Sequence, residues 1–383
     1  MQFEFATAAR IVFGVGKIAA LPSIVKEFGT RALFVTGRNA ERCEPVAEML
    51  GHAGIEPSLF QIEGEPTVDA VRWGARAARV DTDVVIGFGG GSAIDAGKAI
   101  AALATNDGDV LDYLEVVGQG KPIPNAPLPY IAVPTTAGTG SEVTRNAVLG
   151  SPEHGVKASL RSALMLPRVA LIDPELTFAL PPAVTASTGL DALTQLIEPY
   201  VSARATAMVD MFCEEGMRRV AASLRRAYHD GGDRDARQSM SFAALLGGLS
   251  LANAGLGVVH GFAAPIGGAF EAPHGAVCAA VLPYGMEANI RALRERDADG
   301  LTLRKYAGAA RILTGNPHAS PEDGAAWVAD LCRELGVPPL RSYGLTPASV
   351  PDLVAKAAKA SSMKANPIVL TEAELTDVLE RAI

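Results

Sequence analysis

Asp191, Gln195, His260 and His274 are the side chains of this 383-residue sequence best suited to work on a polarised oxygen. Asp191 and Gln195 stand four apart in GLDALTQLIEPY, which puts both on one face of a helix. His260 and His274 flank the glycine-rich segment GFAAPIGGAFEAP. Pro265, Gly267-Gly268 and Pro273 argue against one unbroken helix between them, so the two histidines are expected on separate elements that converge. An Asp with two His offers oxygen and nitrogen donors that suit a divalent ion such as iron or zinc. Spacing alone is better explained by a buried Asp beside two hydrogen-bonded histidines. The histidines at 52, 154, 229 and 318 lie in loop-like or charged surroundings and carry no expectation.

A second chemistry is written in backbone. Gly89-Gly90-Gly91-Ser92 follows an apolar run and opens a helical pattern carrying Asp95 and Lys98. Glycine lets a diphosphate approach closely, and a helix N-terminus offers it free N–H groups and positive potential. The turn is neither G-x-G-x-x-G nor G-x-x-x-x-G-K-[ST], so those two readings fail. Pro134-Thr135-Thr136-Ala137-Gly138-Thr139-Gly140-Ser141-Glu142 follows another apolar run and again concentrates hydroxyls with bare backbone. Either loop alone is explained by a tight connection. Two at strand ends of one sheet point to a shared cofactor site.

The elements that must position these groups alternate in the first half. RALFVTG (31–37), EPSLFQIEG (56–64), DVVIGFG (83–89), YIAVPTT (130–136) and VALIDP (169–174) read as strands. Helices are expected over Ala40–Leu50, Val68–Ala78 and Ala93–Ala104. That alternation implies an α/β domain with a mostly parallel sheet. Gly118–Pro129 reads as a surface loop. After Pro181-Pro182 the sequence turns to Ala, Leu, Met and Arg at helical spacing. The expected division is an α/β dinucleotide-binding domain over 1–180 and an all-α domain over 181–383.

Composition narrows the partners. Apolar residues make up 49% and charged residues 20%, as in a globular enzyme. A net charge of −8 lacks the basic face that nucleic acid needs. Four dispersed cysteines without a C-x-x-C pair read as buried thiols in a reducing compartment, hence a cytoplasmic protein. MQFEFATAARIVFG has no basic segment followed by an apolar core, so no secretory leader is expected. Gln238–Phe270 carries no Asp, Glu, Lys or Arg and is long enough to span a bilayer. Its seven glycines, Asn253, His260 and Pro265 suit a packed core better, and no membrane is expected.

Taken together, GGGSAIDAGKAIA, VPTTAGTGSEVT, LIDPEL, TGLDALTQLIEPYVS, GLGVVHGFAAPIGGAFEAPHG and SSMKANPIVLT resemble the iron-containing (group III) alcohol dehydrogenases, a family that includes maleylacetate reductases. The resemblance runs nearly end to end. It implies a dehydroquinate synthase-like architecture with the active site between an α/β and a helical domain. By position, Gly90, Gly91 and Ser92 would hold the diphosphate of NAD or NADP, and Thr135, Thr136, Thr139, Asn146 and Lys157, with Asp95, would serve the rest of the cofactor site. Asp191, His260 and His274 match three of the family's four ligands for Fe(II) or Zn(II), and a homo-oligomer, dimer or larger, is implied.

The sequence departs from the family at three places. The fourth ligand is normally His and here is Gln195, a poorer donor. Either Gln195 coordinates weakly, or the site works without metal and Asp191, His260 and His274 polarise the substrate by hydrogen bonds. Ala264 stands where alcohol dehydrogenases of the family often carry another His. NAD-preferring members tend to place Asp after the strand at 31–37, where this sequence has Gly37 and then Arg38, so NADP joins NAD as a candidate. The expected activity is an alcohol dehydrogenase or carbonyl reductase acting on a small molecule. Alternatives are a maleylacetate-type reductase and a cofactor-binding protein without redox turnover.

Overall fold

The computed structural model describes residues 2–383. The chain divides into two compact units. One comprises Ala6–Thr136 and Gly140–Phe178, and the other comprises Ala179–Ile383 with Ala137–Thr139 and residues 2–5.

The first unit is built on a six-stranded parallel sheet. Its strands are β1 (Ile11–Phe13), β2 (Arg31–Thr36), β3 (Glu56–Gln61), β4 (Val84–Gly89), β5 (Tyr130–Pro134) and β8 (Val169–Ile172), in the order β1-β8-β5-β4-β2-β3. Helices α1 (Leu21–Lys26), α2 (Glu44–His52), α3 (Val68–Asp81), α4 (Gly91–Ala104) and the short α5 (Val110–Tyr113) complete the crossovers. Leu33, Val35 and Val85 face the side covered by α3 and α4, while Ala32, Phe34, Val84 and Ile86 face α1 and α2. Burial on both faces is why these strands read as unbroken apolar runs. From β2 the chain adds β3 on one side and β4, β5 and β8 on the other. The strand order therefore reverses between β2 and β4, and ligands of such sheets bind beyond the carboxyl ends at that point.

Three local departures are found in this unit. The helix expected from Ala40 starts at Glu44, after a 3-10 turn over Ala40–Arg42, with Pro45 fixing its first turn. Helix α4 starts at Gly91, two residues earlier than expected, with Gly90 as its N-cap. An antiparallel hairpin of β6 (Asn146–Ser151) and β7 (Val156–Arg161) was not expected at all. Its inward residues Ala147, Leu149, Ala158 and Leu160 recur at period 2, the pattern of a half-buried strand, in place of a continuous apolar run.

The second unit is helical: α6 (Pro182–Val201), α7 (Ala207–His229), α8 (Arg234–Ala254), α9 (Val258–Ala269), α10 (His274–Arg296), α11 (Leu301–Thr314), α12 (Pro321–Glu334), α13 (Val350–Ala357) and α14 (Glu372–Ala382). Helix α6 packs against α7, α8 and α10 and is buried without a break from Gly189 to Val201. A helix so enclosed must hold its polar side chains for a reason. Pro265 lies inside α9, and the break between the two histidines falls at Phe270–Pro273 instead. The charge-free stretch forms α8 and α9, bent by 98° at a break where Gly255 has φ +73°. Among the described residues no single helix is long and apolar enough to cross a membrane, and the bent pair passes by length and composition only.

Candidate active site

Three helices bring one polar cluster together. Asp191, Gln195 and Glu198 occupy positions i, i+4 and i+7 of α6, hence one face. His260 lies in the first turn of α9, and His274 is the first residue of α10 with Cys278 one turn later on the same face. Close approach of α10 to α6 depends on Gly275, where a Cβ would stand 2.5 Å from the Ser187 carbonyl oxygen. Asp191 Oδ1 is 3.5 Å from His260 Nε2 and 3.8 Å from His274 Nε2. Cys278 Sγ is 3.8 Å from His260 Nε2 and 3.7 Å from His274 Nε2. One donor atom from each of these four residues fits within a 4.8 Å span.

Glu198 fixes His260 from behind. Its Oε2 lies 2.7 Å from His260 Nδ1, and its Oε1 accepts the Val259 backbone N–H at 2.7 Å. The Asn366 side chain accepts the neighbouring Val258 N–H at 3.0 Å. Together they satisfy amides that the start of α9 would leave bare. With Nδ1 donating to Glu198, His260 Nε2 is the nitrogen turned to Asp191 and Cys278. Two oxygens are left over. Asp191 Oδ1 and Gln195 Oε1 are buried and neither has a hydrogen-bond partner. A buried polar atom without a partner costs about 1–3 kcal/mol, and two on one helix face call for a cation.

The charges are mutually dependent. Burial would raise the Asp191 carboxyl, yet His260 and His274 hold it below its ordinary value. Cys278, more than the opposing cost of burial, lifts His274 to about 9. Burial disfavours charged His260, but Cys278, Glu198 and Asp191 outweigh it and push its pKa well up. The Cys278 thiol would be raised by burial and is instead brought down by the two imidazoles. Cys213 and Cys332, buried without such company, are both pushed up to about 12 by desolvation. All four cysteines are buried, as expected, and Cys278 differs from the others in lying beside two imidazoles. Its signal was the i+4 spacing from His274; the signal for Glu198 was the i+7 spacing from Asp191.

In the sheet unit, Gly37 and Arg38 follow β2, and Gly89 and Gly90 close β4, at the point where strand order reverses. Gly89 has φ +155°, and a Cβ on it would stand 2.7 Å from the Ala93 Cβ, so only glycine serves there. Gly90 caps α4 without a side-chain bond, so no side chain caps the amides at the start of that helix. Thr135 is buried and its N–H bonds the Gly89 carbonyl at 2.8 Å, while Thr136 faces Gly90 across 3.4 Å from a Cβ built there. Arg38 is exposed and pairs with no carboxylate among the described residues.

Asp95 and Lys157 have partners within the protein, and Asn146 takes part through its backbone oxygen. Asp95 accepts bonds from the Ser141 hydroxyl and, at 2.9 Å, from the Val148 N–H. Buried Lys98 donates to the Ser141, Thr144 and Asn146 oxygens at 2.8–3.1 Å. Lys157, nine-tenths buried on β7, reaches Glu65 at 3.4 Å. Thr139 lies in Ala137–Thr139, which belongs to the helical unit, where Gly138 packs on Thr188.

Residues 8–174 match the iron-containing alcohol dehydrogenase family, and residues 185–383 match the Fe-containing alcohol dehydrogenase family, C-terminal region. This chain belongs to the iron-containing alcohol dehydrogenase family. Alcohol dehydrogenase 4 of Saccharomyces cerevisiae is 34% identical over 94% of this chain and 90% of its own length. A crystal structure of 1,3-propanediol oxidoreductase superposes with TM-score 0.92 at 32% identity, covering 100% of both chains. Sulfoacetaldehyde reductase of Bifidobacterium kashiwanohense, solved in complex with NAD+, gives TM-score 0.87 at 30% identity over 99% of this chain and 98% of its own.

As a member of this family the chain is an NAD(P)-dependent oxidoreductase that interconverts an alcohol and an aldehyde or ketone. The family uses a nicotinamide dinucleotide and iron or another metal. Against that background the family's imidazole position is filled by Gln195, whose unpartnered Oε1 lies on the same helix face as Asp191. Ala264 sits one turn beyond His260 on α9 and leaves that side of the helix without an imidazole.

Proposed function

We propose that Asp191, Gln195, His260 and His274 form the catalytic and metal-binding set of this oxidoreductase. What supports the reading is the pair of buried, unpartnered oxygens of Asp191 and Gln195 beside two converging imidazoles. Oxygen and nitrogen donors of this kind fit a divalent transition ion. When bound, the ion supplies Lewis acidity toward the substrate oxygen, and the nicotinamide supplies or takes the hydride. The protein's share is position. Glu198 orients His260, close packing at Gly275 fixes His274 over Asp191, and the enclosure of α6 keeps water from the carboxylate.

The diphosphate end of the cofactor belongs, in this reading, to Gly90, Gly91 and Ser92 at the start of α4. Thr135, Thr136, Thr139, Asn146 and Lys157 serve the rest, and Asp95 acts by anchoring the loop at Ser141. Gly37 removes the acid that would repel a 2′-phosphate, and unpaired Arg38 attracts one, so both NAD and NADP are accepted. The protein works in the cytoplasm as a dimer or larger homo-oligomer. Unpaired outer strands β1 and β3 leave edges for a second copy.

The test joins metal content to turnover. Protein purified without chelator is expected to carry a stoichiometric divalent ion and to oxidise NADH and NADPH with simple aldehydes. Chelation should abolish turnover and re-addition should restore it. Full activity in demonstrably metal-free protein would overturn the ligand assignment.

A further inference from the structure

We propose that Cys278 is itself a metal ligand, so that the ion sits in a His-His-Asp-Cys set and zinc is favoured over iron. The inference rests on the metal reading above and revises its ligand set, putting in the place of Gln195 a donor that the family's Asp-and-His pattern does not contain.

The geometry carries it. In a tetrahedral site with bonds of about 2.0–2.1 Å to nitrogen or oxygen and about 2.3 Å to sulfur, neighbouring donors stand about 3.3–3.6 Å apart. The observed edges are 3.5 and 3.8 Å from Asp191 Oδ1 to the two imidazoles, and 3.8 and 3.7 Å from Cys278 Sγ to the same two nitrogens. Four edges sharing two imidazole corners, all near the expected length, describe a cage around one point. Cys278 Sγ lies within hydrogen-bonding reach of both Nε2 atoms, but a single S–H can donate to only one of them at a time. Cys278 is also fully buried, as is Asp191 Oδ1, which faces the same two nitrogens without a hydrogen-bond partner.

The substitution pattern agrees. Where the family has its third imidazole, α6 carries only the amide of Gln195. Helix α10 offers sulfur instead, one turn after His274. Losing a nitrogen donor on one helix and gaining a thiolate on another keeps the ligand count at four, with Gln195 Oε1 as a weaker neighbour. Thiolate is the soft partner of zinc, whereas an all-oxygen-and-imidazole set serves iron as well.

Cobalt(II) tests this directly. Protein stripped of metal and reloaded with Co(II) is expected to show visible ligand-field bands and a near-ultraviolet sulfur-to-cobalt charge-transfer band. Cys278→Ser should keep the ligand-field bands, lose the charge-transfer band, and bind Zn(II) at least about a hundredfold more weakly, since even outer-shell partners are worth 10–100-fold. Gln195→Ala should keep both bands. Near-ultraviolet circular dichroism of each variant checks that it is folded. Ligand-field bands without charge transfer in the wild type would overturn sulfur ligation while leaving the metal reading intact. Absence of bound cobalt altogether would overturn both.

Discussion

The glycine turn after β4 and the cluster on α6, α9 and α10 solve opposite problems. At the turn the groups on offer are backbone amides, and what the sequence contributes is absence: Gly89 has φ +155°, and Gly90 caps α4 with no side chain. In the helical cluster the groups are side chains drawn from residues 191 to 278, and what the sequence contributes is buried polarity that ordinary folding would avoid. The turn is stable with or without ligand, because the start of a surface-reaching helix can bond water. The cluster is not neutral in that way, since Asp191 Oδ1 and Gln195 Oε1 have no partner. A site of backbone constrains the fold little, whereas a site of buried charge taxes it.

That contrast sharpens inside the sheet unit, which has one buried charge cluster of its own. Lys98 lies 3.7 Å from Asp95, and Glu142 is buried nearby. One cation cannot neutralise two carboxylates. Burial raises Glu142 to about 7, with Lys98 only partly opposing. Its folded pKa therefore lies above its unfolded value, so folding binds a proton between about pH 4.5 and 7 and stability falls as pH rises through that window. Glu142→Gln carries no such proton. Its stability relative to wild type should improve from pH 4.5 to pH 7 by on the order of 3 kcal/mol and then level off. Urea midpoints at several pH values check this, and a pH-independent difference would show Glu142 to be ionised throughout.

How much was legible follows the same division. The strand–turn–helix around Gly89 to Ala104 is local, its apolar run and glycines being contiguous, and only the helix start moved, to Gly91. The β6–β7 hairpin was missed although VKASLR alternates apolar and polar, because Ala147 and Ala158 are small and the reading followed continuous apolar runs. In the helical unit the spacing of Asp191 and Gln195 was readable, being one turn of one helix. The meeting of His260 with His274 could be expected but not located, since Pro265 was tolerated within α9 and the break fell later. Cys278 and Glu198 were missed for one reason. Each lies at helical spacing from a residue already singled out, but their roles arise only when three helices pack.

Glu198 offers a smaller test on the side-chain side of the comparison. Both of its oxygens are taken, one by His260 Nδ1 and one by the Val259 N–H, each at 2.7 Å. It touches no reacting atom and acts as a positioning residue. Glu198→Gln keeps one acceptor and sets an amide N–H against the other donor, so His260 loses either its tautomer or its orientation. Metal affinity is expected to fall 10–100-fold, read by competition with a chromophoric chelator. Turnover at saturating metal should recover most of the loss. An unchanged affinity would make Glu198 a helix cap and nothing more.

The smallest effect belongs to the backbone side. A Cβ on Gly37 would meet nothing within 4 Å, and its φ is not in the left-handed range, so Gly37→Asp should fold as wild type. The new carboxylate would stand at the carboxyl end of β2, where the sheet order reverses and where exposed Arg38 follows. There it can accept the ribose hydroxyls of NAD and repel the 2′-phosphate of NADP. A repulsion of about 1.4 kcal/mol is tenfold in preference, so the ratio of kcat/KM for NADPH to that for NADH should fall by about a factor of ten. The change should appear in KM for NADPH with kcat for NADH preserved, because the helical cluster is untouched. A ratio that does not move would remove Gly37 and Arg38 from the cofactor site and leave the binding energy with the glycine turn alone.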